Sequence, residues 1–140
     1  MSYVTFYLND PNAPKPNMPA HLGSNCIITC KGKLLLERRV DSDTWGLVGG
    51  GCKKYEEPDQ AMAREVYEEL GWRIPRNQFR KLKVYGAPGR IAAFKDGSIW
   101  RMVIVVSLWI SRRSVPFGSV RNPKKPASLQ RKRFASFRLL

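Results

Sequence analysis

Apolar and polar positions along this chain fall into short extended runs with one helical interruption. Residues 23–30 (GSNCIITC) are apolar and β-branched, and residues 34–38 (LLLER) form a second such run beyond Lys31-Gly32-Lys33. Two runs around a glycine turn predict a hairpin. From Pro58 the spacing changes. Ala61, Met62, Ala63, Val66 and Leu70 supply the core-facing side of a helix. Pro58 suits the first helical position, Asp59 the positive end of the helix dipole, and Gly71 a C-terminal cap. Past Pro75, residues 79–85 (FRKLKVY) alternate as a strand should. Residues 90–94 (RIAAF) and 99–110 (IWRMVIVVSLWI) read as further strands, split by an Asp96-Gly97 hairpin signal.

The two ends follow a different pattern. Pro11, Pro14, Pro16 and Pro19 mark an extended arm after a short apolar start, Tyr3-Val4-Thr5-Phe6-Tyr7. The sequence leaves open whether that start is an edge strand. After Ser111 the alternation degrades into Pro123, Pro126 and QRKRFASFRLL. The expected division is an arm over 1–22, a core domain over 23–110, and a basic C-terminal segment over 111–140 with little sign of packing.

Composition changes this picture only in places. The 140 residues suit one domain, and 43% hydrophobic content suits a packed core. The longest apolar run, 102–110, is far short of the ~20 residues of a membrane span. The N-terminus lacks the basic start and long apolar region of a secretory signal. Three cysteines without a dense framework suggest reduced thiols and a cytoplasmic location. The net charge is +14. Residues 112–140 hold nine Lys or Arg and no Asp or Glu, leaving 16 basic against 11 acidic residues in 1–111, a net of +5. The C-terminal segment alone thus makes the chain look like a nucleic-acid binder. A genuine basic tail and a region outside the ancestral reading frame both remain open for it.

Against that basic background stands an acidic stretch, Gly50 to Trp72. Glu65, Glu68 and Glu69 sit at i, i+3 and i+4, on one helix face opposite the apolar stripe. Like charges at that spacing repel. A hard divalent cation with oxygen ligands would offset the repulsion. Gly49-Gly50-Gly51, just before, can bring backbone close to a ligand.

The stretch runs Gly50, five residues, Glu56, seven residues, Arg64-Glu65-Val66, one residue, Glu68-Glu69, one residue, Gly71, then Trp72. This resembles the signature of the Nudix hydrolases (MutT-like proteins), G-x(5)-E-x(7)-R-E-U-x-E-E-x-G-U, with U a bulky apolar residue. All seven fixed identities and both apolar positions are present. The lead-in, KGKLLLERR then WGLVGGG, is also similar, although Val48 stands where relatives often have Pro.

The resemblance implies an α/β fold, a Nudix-type α/β/α sandwich around a mixed β-sheet, closed by a further strand and helix. Residues 129–140 offer only a weak counterpart of that closure, which makes the basic C-terminal segment atypical. It implies a hydrolase that cleaves the pyrophosphate bond of a nucleoside diphosphate linked to another group, with Mg²⁺ as cofactor and Mn²⁺ as a candidate substitute. The metal positions are Glu65, Glu68 and Glu69, with the Gly49 carbonyl added. Glu65 is also the candidate base, Arg64 orients Glu65 or Glu56, and Glu56 supports Arg64. Many relatives use a further acid downstream; after Glu69 this chain has only Asp96, in a turn that explains it structurally. Arg38, Arg39 and Arg90 are candidates for substrate phosphates, with plain surface charge as the alternative. Trp100, Trp109, Tyr85 and Phe94 could stack a base or serve as core. His21 reads as structural or exposed, and Cys26 and Cys30 as buried thiols sharing a strand face. The expected partner is a nucleotide derivative, with no membrane and a monomer or homodimer. The other function weighed is a nucleic-acid-binding module that uses the basic tail with weak or no catalysis.

Overall fold

The computed structural model describes residues 4–39, 44–112, 118–121 and 131–138, with side chains for 4–39, 44–112 and Ala135. Its single α-helix among these residues, α1, spans Pro58–Leu70. The sequence sets both ends. Glu57 caps the start in a capping box: Gln60 Oε1 accepts the Glu57 backbone N–H at 3.0 Å, and the Glu57 side chain returns to the N–H of Gln60. Gly71 closes the helix at φ 73°, donating its N–H to the Tyr67 carbonyl at 2.9 Å. A left-handed cap of this kind favours glycine. Arg76 reaches back to Asp59 at 2.7 and 2.9 Å and also pairs with Glu57. That pins the short 3-10 turn Arg76–Gln78 to the helix start.

The sheet is built on two parallel central strands, β2 (His21–Cys30) and β8 (Ile99–Ile110), paired from His21↔Met102 to Thr29↔Ile110. Each changes its outer partner along its length. The first half of β2 pairs β5 (Val48–Gly51) and its end pairs β3 (Lys33–Arg38). The first part of β8 pairs β7 (Arg90–Phe94) and its later part pairs β6 (Arg80–Tyr85). β4 (Trp45–Gly46) lies along β3, and β1 (Val4–Leu8) pairs antiparallel with β7, from Val4↔Phe94 to Leu8↔Arg90. The apolar start is therefore an edge strand. The sheet is mixed, as the resemblance implies.

Period-two alternation on β2 divides the molecule. Ser24, Cys26, Ile28 and Cys30 are buried and face α1, where Met62, Val66 and Leu70 meet them with Leu35, Val48 and Phe79. The Ser24 hydroxyl donates to the Pro58 carbonyl at 2.8 Å, so no buried polar group is stranded there. Cys26 and Cys30 are free thiols, and burial pushes the Cys26 thiol up to about 12. His21, Gly23 and Asn25 project to the other face.

The helical closure takes another form. Residues Arg131–Arg138 form β10, antiparallel to β3 from Phe134↔Glu37 to Arg138↔Lys33, and Gly118–Arg121 form β9 beside it. A helix layer on the second face is therefore not seen among the described residues. The physical reason is available in sequence: 131–138 has no acidic residue for i,i+4 pairing and no helix-capping signal, whereas an extended run satisfies the open edge of β3. The basic side chains of this segment, on which the nucleic-acid reading rested, lie outside the described residues apart from Arg112. No described helix is long and apolar enough to cross a membrane.

Candidate active site

Strand β5 ends in a glycine run because two neighbours press on it. A Cβ on Gly49 would lie 2.2 Å from the Ser24 carbonyl and 2.4 Å from Asn25 Oδ1. A Cβ on Gly50 would lie 2.6 Å from Glu65 Oε1. Only a bare backbone lets the loop close over α1 and over Glu65.

Arg64 organises what lies beneath. Its Nε and Nη2 clasp Glu56 at 2.8 and 2.9 Å, the two-pronged geometry that suits a guanidinium. Nη1 donates to Glu65 at 2.9 Å and, more loosely, to Glu68 at 3.4 Å. Nη2 also donates to the Gly51 carbonyl at 3.0 Å. One side chain thus ties the loop, Glu56 and the helix acids together. Glu56 also accepts the Lys53 backbone N–H at 3.0 Å. The Arg64 hydrogen bonds hold its carboxyl down at about 2.

The acid face is not a solvated one. Glu65 and Glu69 are only 9% and 4% exposed, while Glu68 is more open. Burial pushes the Glu65 carboxyl above its ordinary range, and the charges of Glu68 and Glu69 add to this, while Arg64 opposes it. Crowded acid oxygens of this kind are a hard donor set fitted to a divalent cation. No three acid, imidazole or thiol groups converge into a finished cage among the described residues. Mg²⁺ usually retains waters and substrate oxygens beside a few carboxylates rather than filling an all-protein cage. Arg64 also ties the Gly51 carbonyl, two residues past Gly49, to the acid cluster.

On the opposite face of the same loop lies a cavity of about 460 Å³, bounded by Gly50 and Gly51. It therefore abuts the acid cluster. Arg39 and Arg90 line it; Arg38 and Asp96 do not. Asp96 is engaged in its hairpin turn, where Oδ1 accepts from the Ser98 N–H at 2.8 Å and hydroxyl at 2.6 Å. Of the aromatic candidates, Phe94 lines the cavity, Trp109 packs against Trp72 beside the core, and Tyr85 lies exposed.

Sequence reasoning missed three cavity residues in this role. His21 stands edge-on to Trp100, ring centroids 5.7 Å apart, and a Cβ on Gly51 would meet its Nε2 at 2.7 Å. Asn25 is brought in by the alternation of β2. Phe6 comes from β1 and carries the Arg39 guanidinium 5.8 Å from its ring centre. The alternation of residues 23–30 could have flagged Asn25; nothing local could have flagged Phe6.

Residues 19–124 match the model of the NUDIX domain. A MutT-like protein of Streptomyces ambofaciens is 36% identical over 72 residues, 51% of this chain and 47% of that protein. An RNA pyrophosphohydrolase of Hahella chejuensis is 43% identical over 47 residues, 32% of this chain and 29% of that one. The chain thus spans less than half the length of these relatives. A MutT NUDIX hydrolase from Burkholderia pseudomallei shares the fold at a TM-score of 0.58 and 23% identity, covering 87% of this chain and 84% of its own. With the domain model matched over most of the chain, and the glycine loop, Arg64 clasp and acid helix in the positions its signature requires, the chain belongs to the NUDIX domain family.

Proposed function

We propose that this protein is a divalent-metal-dependent hydrolase that cleaves the pyrophosphate bond of a nucleoside diphosphate linked to another group. The observation that carries the reading is the buried Glu65, held against Gly50 of a glycine loop that also borders a cavity large enough for a nucleotide, with the buried Glu69 one helical turn further on. Glu65, Glu68 and Glu69 would hold Mg²⁺, or Mn²⁺ in its place, with the Gly49 carbonyl as a further donor. A bound ion would neutralise charge on the phosphoryl oxygens and acidify the attacking water.

The chain's own residues would do the rest. Glu65 is the carboxylate that would accept a proton from the attacking water. Arg64 orients Glu65 and spreads positive charge among the acids before the cation arrives. Glu56 fixes Arg64 and touches no reacting atom. Arg39 and Arg90 supply positive charge at the cavity, and Phe6, His21 and Phe94 offer flat surfaces for a base. Asp96 has no role, since Ser98 occupies it.

A panel of nucleoside triphosphates, nucleotide sugars, ADP-ribose, dinucleoside polyphosphates and 5′-triphosphate RNA, assayed chromatographically for the cleaved phosphate-bearing products with Mg²⁺ and with EDTA, tests the assignment. At least one member should turn over with Mg²⁺ and fail with EDTA, and Glu69→Gln should abolish that turnover. Turnover untouched by both EDTA and Glu69→Gln would refute it.

A further inference from the structure

The cavity-bearing face of the sheet continues outward along β6. The pairings Arg80↔Leu108, Lys83↔Val106 and Tyr85↔Ile104 place Arg80, Lys83 and Tyr85 on the same face as Ile104, which lines the cavity. Arg90 lies at the cavity rim with its guanidinium 4.8 Å from the Tyr85 ring centre, and the Lys83 ammonium lies 5.1 Å from the same centre. Every residue of β6 is exposed, and among the described residues β6 pairs only with β8. From Leu70 to Lys95 the sequence has no Asp or Glu. The ion pairs among the described residues draw on Arg64 and Arg76, and none engages Arg80, Lys83 or Arg90.

We propose that the row Arg90, Tyr85, Lys83 and Arg80 is a binding track for single-stranded nucleic acid that leads to the mouth of the cavity. Three cations without acid partners among the described residues match the regular negative charge of a phosphate backbone. The Tyr85 ring, partly open to solvent, gathers the Arg90 and Lys83 cations over it, and a base entering the row would stack on the ring or on the Arg90 guanidinium, the aromatic-plus-cation combination on which sequence-tolerant single-strand binding rests. An acidic protein would satisfy the cations but offers no phosphate end group to the cavity that the row leads to. A second copy of this chain would bring cations against cations. None of its residues belongs to the C-terminal basic segment. It extends the hydrolase proposal in one respect, because a strand lying here would have its end at the cavity, but binding along it requires no turnover.

The test is fluorescence anisotropy of the full chain with a labelled oligouridine dodecamer in EDTA, over a range of salt concentrations. R80Q/K83Q should weaken binding about tenfold, and the slope of log affinity against log salt should fall by about 1.4, roughly 0.7 for each lost phosphate contact. Tyr85→Ala should weaken binding about tenfold through lost stacking. K15Q/K31Q, the same charge change at exposed sites in the arm and the β2–β3 turn, should leave affinity within twofold. Unchanged binding by R80Q/K83Q overturns the proposal. So does an equal loss in K15Q/K31Q, which would make the effect one of net charge. Polyglutamate of the same length binding as tightly, or sedimentation showing a dimer that R80Q/K83Q dissociates, would also overturn it. Turnover by R80Q/K83Q of whichever mononucleotide substrate the panel yields is scored separately, so failure here leaves the hydrolase proposal standing.

Discussion

Glu56 is expected to stabilise the fold without taking part in the chemistry, and its pH dependence makes that measurable. Its carboxylate is clasped at two points by Arg64 and held at about 2 against an ordinary 4.5. At about 1.36 kcal/mol per pH unit, that difference corresponds to about 3.4 kcal/mol. Glu56 sits near solvent, with 14% of its side chain open, and Arg64 has 19%. Screening at such a site reduces the figure to about 2 kcal/mol. The sign follows from the direction. A carboxyl held down in the folded state contributes fully above its unfolded value of 4.5 and loses the contribution as pH falls toward 2. Glu56→Gln should therefore cost about 2 kcal/mol at pH 7 in urea unfolding. Roughly three-fifths of the gap between variant and wild type should vanish by pH 3.5. A gap of the same size at pH 7 and 3.5, or none at pH 7, would refute the reasoning. Either result would mean that Arg64 is satisfied without Glu56.

Three further outcomes are expected. Glu65→Gln should abolish turnover, by a hundredfold or more, while leaving urea stability at pH 7 equal or higher, because a buried carboxyl pushed upward is a liability once charged; a large loss of stability would contradict this. Gly50→Ala should lower turnover at least tenfold, since its Cβ would collide with the Glu65 carboxylate at 2.6 Å, and a kinetic assay giving wild-type rates would show that the loop yields freely. Asp96→Ala should leave kcat/KM within twofold, and a hundredfold fall would make Asp96 the downstream acid after all.

Much of this molecule is written locally. The helix bounds follow from Pro58, the Glu57–Gln60 reciprocal cap and the left-handed Gly71, all interactions within four residues. The hairpin over β2 and β3 and the β7–β8 turn at Asp96-Gly97 are of the same kind. The acid cluster was legible because helical periodicity alone brings Glu65, Glu68 and Glu69 together. What periodicity could not give was their burial. Glu65 and Glu69 lie on the face opposite the apolar stripe, yet both are buried, and Glu65 is covered by strand β5, a placement that depends on Gly50 pairing with Ser24 across the sheet.

The cavity belongs wholly to tertiary structure. Phe6, Asn25, Arg39 and Arg90 are far apart in sequence and meet only because β1 pairs β7 and β2 runs parallel to β8. The same is true of β10, whose residues carry no clear signal but which lies on the edge of β3, nearly a hundred positions earlier. Pairings of that range are set by which strand edges remain open after the local elements form. A single sequence states the hydrophobic face of each element but not its neighbour. Composition and periodicity therefore fixed the helix, its caps and its acids, while long-range strand pairing decided what those acids face.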